Sequence, residues 1–144
     1  MAVSCGEIQS SVEARNCKQQ LRSLWAVLAL YRQEHNEQLP PSLENLDMNL
    51  VGRLLACPGG KLNSTTRSNY QAGYYYVDWT KHQPQPNFGA GKYPLIYDRF
   101  MLNHDGKGVN VLMMDGSVMW DAHAEWLKNF ASENTNVTLS IPVQ

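Results

Sequence analysis

Charge is scarce in this chain. Only 17 % of its 144 residues are charged, and 12 basic residues nearly balance 13 acidic ones for a net charge of −1. A surface this neutral has no strong field with which to draw in nucleic acid or anionic lipid, so no nucleic-acid partner is expected. Long apolar runs are missing too. The longest, Leu24 to Tyr31, falls far short of the roughly 20 residues that a membrane-spanning helix needs, and no secretory signal is legible after Met1. Read by itself, that pattern suits a cytoplasmic domain. Cysteine is confined to Cys5, Cys17 and Cys57, and no interval among them fits a zinc pattern such as Cys-x-x-Cys. Walker loop, nucleophile elbow, His-Glu-x-x-His and calcium-loop patterns are also absent.

What is present points to a folded domain. Aromatic residues make up 10 % of the chain, which opposes disorder, and the length suits one domain over residues 1–144. A long helix is expected over about residues 7–36. Ile8, Val12, Cys17, Leu21, Leu24, Trp25, Leu28 and Tyr31 recur at steps that build one apolar stripe. Leu39-Pro40-Pro41 is expected to end it, because a proline disfavours helical geometry in the residue before it. A loop-rich region follows over about 37–72. Within it Ser42 can cap a short helix that turns Leu43 and Leu46 inward, and Cys57-Pro58-Gly59-Gly60 reads as a turn.

A sheet region is expected over about 73–120. Gly73 to Trp79 and Pro94 to Asp98 have strand composition, separated by a loop rich in proline and glycine. Val109, Val111 and Met113 then alternate with Asn110, Leu112 and Met114. Asp115-Gly116 follows, and Ser117 to Trp120 form a second apolar run. Asp-Gly between two such runs is a strong hairpin signal, best served by a type I′ turn with positive φ at both central residues. Asp121 can cap a short helix over about 122–130, with Trp126, Leu127 and Phe130 as its apolar face. The remainder reads as tail, with Val137 to Ile141 a candidate edge strand. The fold class is therefore α+β: a long N-terminal helix packed on an antiparallel sheet of about four strands, in two layers.

These segments carry a resemblance. The run from His104 through Asn110 to Asp115-Gly116, closing in Trp120, is similar to the C-terminal signature of a group of bacterial prepilin-type proteins, which has a His, nine residues, then Asp-Gly. Here ten residues separate His104 from Asp115, a departure of one. Ser10 to Leu24 resembles the stretch just after a pilin's membrane helix. Tyr31 to Pro40 resembles the end of the pilin helix, Ala56-Cys57-Pro58 the Cys-Pro before a Ser/Asn-rich loop, and Pro94 to Asp98 the strand before the His motif. Taken together, the chain resembles type IV pilins and type II secretion pseudopilins over roughly 110 residues.

The resemblance implies a pilin-like fold and a non-enzymatic structural subunit. It implies partners that are other pilin-like subunits, met through the N-terminal helix, and a location in the periplasm or at the cell surface, with an inner-membrane anchor in the full-length protein. The family's prepilin peptidase site, a Phe-Thr-Leu-Ile-Glu-Leu-like stretch, does not occur in this chain. Processing, anchoring and filament assembly are thus implied for a longer protein only. In an extracytoplasmic setting a Cys17–Cys57 disulfide is a candidate, with Cys5 left over. The plain alternative is buried thiols.

Other residues carry chemistry-bearing side chains. His104, Asp105, Asp115, Asp121 and His123 are the residue types of metal and hydrolase sites, yet Asp115 is accounted for by its turn, Asp121 by its cap and His123 by an exposed helix start. Asp98, Asn103, Asp105 and Asn110 offer hard oxygens for calcium in a spacing that matches no calcium loop, so no cofactor is expected. Tyr74, Tyr75, Tyr76, Trp79 and Tyr93 are the residue types of a ligand or nucleic-acid stacking face, and a second function is an extracytoplasmic binding module that uses the aromatic loop between Tyr70 and Tyr93 on a glycan or peptide. Strand alternation makes about half of them core instead.

Overall fold

The computed structural model describes residues 5–46, 74–81, 86–89, 91–99, 106–135 and 137–142, with backbone alone at 5–16 and 44. Helix α1 spans Cys5–Glu34. Cys17, Leu21, Leu24 and Leu28 lie on one face of it and are all fully buried. The helix stops before the prolines rather than at them. Asn36 and Glu37 adopt positive φ, and the Glu37 N–H donates to the Arg32 carbonyl, a left-handed termination that satisfies a carbonyl otherwise left open. Leu39 and Pro40 then turn inward and are buried. Residues Leu43–Asn45 form one 3-10 turn. The Asn45 side chain accepts from the Ser42 N–H, and Leu43 and Leu46 are buried as expected.

Four strands form one antiparallel sheet in the order β1-β2-β3-β4. They are β1 (Tyr74–Tyr76), β2 (Pro94–Asp98), β3 (Gly108–Met113) and β4 (Val118–Ala122). The register slips by one residue between Pro94 and Ile96, a bulge at Leu95. By alternation, Tyr74, Tyr76, Ile96, Asp98, Asn110, Leu112, Val118 and Trp120 share the face toward α1. Tyr75, Tyr97, Val109, Val111, Met119 and Asp121 share the other.

That second face is also covered, which changes the expected two layers to three. Helix α2 (Glu125–Glu133) packs against β4, and Leu127 is fully buried. Among the described residues after it none forms a strand. They lie along the sheet, where Val137 and Leu139 pack on the core and the Tyr97 hydroxyl donates to the Ser140 carbonyl. Every residue of β2 and β3 is buried as a result. The α+β class, with a helix on a four-stranded antiparallel sheet, is as the sequence indicates. Burial pushes the phenols of Tyr76 and Tyr97 well above their ordinary value. Both stay neutral and serve as donors, Tyr76 to the Pro40 carbonyl.

Asp121 caps α2, though from further away than the sequence suggests. Its carboxylate accepts the N–H groups of Trp126 and Leu127, both at 2.9 Å. The residues between, His123 and Ala124, have φ of 56° and 57°, so β4 turns into α2 through two left-handed residues and Ala124, not Asp121, adjoins the helix start. No helix among the described residues is long and apolar enough to cross a membrane.

Candidate functional site

Two side-chain assemblies hold α1 to the sheet, and each absorbs part of the sequence motif. The first lies at the β3–β4 turn. Gly116 N–H donates to the Met113 carbonyl, and Met113 N–H donates to the Ser117 carbonyl. Gly116 has φ 90°, whereas Asp115 is not among the residues with positive φ. The connection is thus a three-residue loop, Met114 to Gly116, with a glycine bulge, and not the type I′ turn expected from Asp-Gly. The physical reason is the hydrogen bonding of Asp115. Its carboxylate accepts both the amide and the hydroxyl of Ser117, an arrangement that holds the aspartate as the second residue of the turn. The same two donors hold the exposed Asp115 carboxyl below its ordinary pKa.

Trp25 of α1 closes over this turn. Its indole Nε1 donates to the Met114 carbonyl at 3.0 Å. A Cβ placed on Gly116 would come within 3.0 Å of the indole ring, so the glycine is required both for its φ and for this approach. Met114 O also accepts from Gly89 N–H. Phe88 stacks on Trp25 with ring centroids 4.9 Å apart, and the Arg32 guanidinium sits 4.4 Å from the centroid of the same Phe88 ring. A Cβ on Gly91 would lie 2.8 Å from an Asp115 carboxylate oxygen. Helix, loop and hairpin therefore meet at one point, and Asp115-Gly116 is its structural key.

The second assembly is buried at the other end of the contact. Asp98 is fully buried, and its carboxylate accepts the Asn110 N–H at 2.8 Å and the Cys17 thiol at 3.3 Å. Cys17 Sγ also lies 3.3 Å from the Tyr74 hydroxyl. Asn110 and Asp98, two of the four oxygen carriers considered for calcium, are thus side by side. Asn103 and Asp105 fall outside the described residues, as do His104 and Cys57, so the His of the motif and the Cys17–Cys57 pairing lie beyond this description. Among the described residues no group of three or more His, Cys, Asp or Glu side chains gathers. Asp121 is occupied by α2, and His123 is exposed at the turn before it.

The aromatic surface suggested by the Tyr74–Trp79 segment is mostly interior. Tyr74 and Trp79 are buried, and Tyr75 and Tyr76 are part-buried against the core. Trp79 donates to the Pro94 carbonyl at 2.8 Å. Of the five, Tyr93 reaches an open depression, whose other aromatic walls are Trp126 and Phe130 of α2. The sequence marks those two as a helix face but gives no sign that Tyr93 would meet them, since the contact spans the sheet's second layer.

No protein-family model, curated protein or solved structure matches the chain.

Proposed function

We propose that this chain is the head of a pilin-like or pseudopilin subunit, a non-enzymatic structural protein that assembles with its own kind through α1. The observation that carries the reading is the layout of α1. Over its 30 residues the helix measures about 45 Å at 1.5 Å per residue. One stripe, Cys17 to Leu28, is spent on the sheet. The opposite side, with Gln19, Arg22, Ser23, Ala26, Leu30 and Gln33, stays exposed, and Leu30 is 54 % accessible. Among the described side chains the helix docks along one side, which leaves a second side for neighbouring helices. The Asp115-Gly116 hairpin locked to Trp25 gives that helix a rigid head. In this reading the full-length protein is anchored in the inner membrane, and the head stands in the periplasm or at the cell surface.

The test is to read the coding sequence immediately upstream of the Met1 codon. A prepilin cleavage site followed by roughly 20 apolar residues is the expected finding. An in-frame stop directly upstream would remove anchoring and with it the assembly role. The second function, an extracytoplasmic binding module, draws its support from the depression at Tyr93 and not from the buried Tyr74–Trp79 segment.

A further inference from the structure

The depression between the start of β2 and the outer face of α2 has a volume of about 410 Å³ and is lined by Gly91, Lys92, Tyr93, Trp126, Phe130, Glu133 and Asn134. That volume falls in the range of about 300–1,000 Å³ typical of small-ligand sites. Its aromatic walls are ordered by one another. Trp126 stacks on Phe130 with centroids 5.2 Å apart, and Tyr93 meets Phe130 edge-on at 6.4 Å.

Several aromatic polar groups of the core are spent on the backbone, whereas those of this groove, like the part-buried hydroxyls of Tyr31 and Tyr75, have no protein hydrogen-bond partner among the described residues. Trp25, Trp79, Tyr76 and Tyr97 each spend their N–H or O–H on a backbone carbonyl. Among the described residues, the Tyr93 hydroxyl and the Trp126 indole N–H make no such bond, although both side chains are part-buried and such groups are ordinarily satisfied. Lys92 and Glu133 are exposed at the rim, and among the described residues neither enters an ion pair. The residues lining the groove thus carry donors at Lys92, Tyr93 and Trp126, an acceptor at Glu133, and the aromatic rings of Tyr93, Trp126 and Phe130. One cation and one anion cancel, which gives no preference for a phosphate or any other strongly charged ligand.

We propose that this groove binds a neutral pyranose unit of a glycan. A sugar ring has an apolar C–H face to lie on an aromatic wall. Its rim of hydroxyls, each both donor and acceptor, can answer the ammonium, the phenol, the indole N–H and the carboxylate together. An extended peptide could lay apolar side chains on the same wall, but its backbone N–H and C=O groups are fixed along one line, whereas a pyranose carries hydroxyls around its whole rim. The proposal rests on the binding-module reading and is independent of the assembly role of α1.

The experiment titrates the intact chain, labelled with ¹⁵N, with maltotriose, cellotriose and chitotriose, and separately with an uncharged tripeptide rich in leucine. Binding of at least one trisaccharide, with shifts centred on the Trp126 indole and the Lys92, Tyr93 and Glu133 amides, is expected. Glu133→Ala and Lys92→Ala, both at exposed positions, should each weaken that binding about tenfold, as loss of a hydrogen bond to a charged group does. Trp126→Ala should abolish it, with the variant's amide spectrum showing that the rest of the fold is kept. No shift with any sugar at 20 mM probe would overturn the proposal. So would shifts that persist unchanged in both rim variants, or binding of the tripeptide alone.

Discussion

The Trp25 indole donates to the Met114 carbonyl across 89 positions of sequence, and its ring occupies the space that a side chain at Gly116 would need. This one relationship ties the helix to the hairpin turn and explains why glycine follows aspartate there. Gly116→Ala should therefore be costly twice over, through its φ of 90° and through the 3.0 Å approach to Trp25. A loss of about 1–3 kcal/mol is expected, read as a lower melting temperature and a lower urea midpoint with an unchanged slope. An alanine variant as stable as the parent would mean that Trp25 does not close over the turn.

Trp25→Phe separates the hydrogen bond from the packing. Phenylalanine can keep much of the stacking on Phe88 but has no N–H. Met114 O retains its bond from Gly89, so no buried acceptor is orphaned, and the expected cost is modest, about 1 kcal/mol for the bond plus the smaller ring. Amide exchange at Gly89 should quicken in this variant, since the loop loses part of its anchor. Exchange rates unaltered at Gly89 would separate the loop from the helix.

How far this organisation can be read from sequence depends on the element. β2, β3 and β4 are legible because β-branched and aromatic runs are punctuated by Gly, Pro and Asp-Gly. α1 is legible because Cys17, Leu21, Leu24 and Leu28 keep helical spacing. The turn type is not, because the hydrogen bonds from Ser117 to Asp115 override the usual preference of Asp-Gly. The third layer is not legible either. Nothing in Val137 to Ile141 announces that the Ser140 carbonyl will receive the Tyr97 hydroxyl, a contact set only by the folded sheet. The left-handed pair His123 and Ala124 carries no glycine to mark it. Asp98 reads as a strand end, yet it is a buried acceptor for Cys17 and Asn110, residues 81 and 12 positions away.

The Asp115 carboxyl should titrate below the ordinary aspartate value of about 3.9, because Ser117 donates to its charged form. A folded-state pKa lowered in this way adds stability that is fully present above the unfolded value and is lost as pH falls through the folded one. The contribution should be small, since the side chain is exposed. Carboxyl carbon shifts followed by NMR from neutral pH down to acid check the sign. Ser117→Ala should raise the midpoint toward that of an ordinary aspartate, and a midpoint that does not move would assign the shift to some other group.

Asp121→Ala removes the acceptor for two N–H groups at the start of α2, Trp126 and Leu127. Helix α2 spans only nine residues and has no side-chain cap from Ala124, so little else holds its first turn. A cost of about 1–2 kcal/mol is expected, with faster exchange at the Trp126 and Leu127 amides ahead of the rest of the helix. Asp121→Asn, which keeps one acceptor oxygen, should recover part of the loss. Equal exchange in all three proteins would show that α2 is held by the packing of Leu127 alone.

The two sides of α1 make opposite predictions, and together they test both the fold and the assembly role. Leu24 is fully buried against the sheet, whereas Leu30 is 54 % accessible. Leu24→Ala leaves a cavity in a close-packed layer and should cost about 2–5 kcal/mol. Leu30→Ala removes little from the folded core and should fall within about 0.5 kcal/mol of the parent. Leu30→Asp in the full-length protein then becomes the discriminating variant. If α1 meets its neighbours through this side, an aspartate there should leave the melting temperature of the isolated domain nearly unchanged and yet reduce subunit crosslinking in cells. Crosslinking undiminished by that charge would move the contact surface away from Leu30. A large drop in the melting temperature of the domain would instead show that Leu30 belongs to the core and that this side of the helix is already occupied.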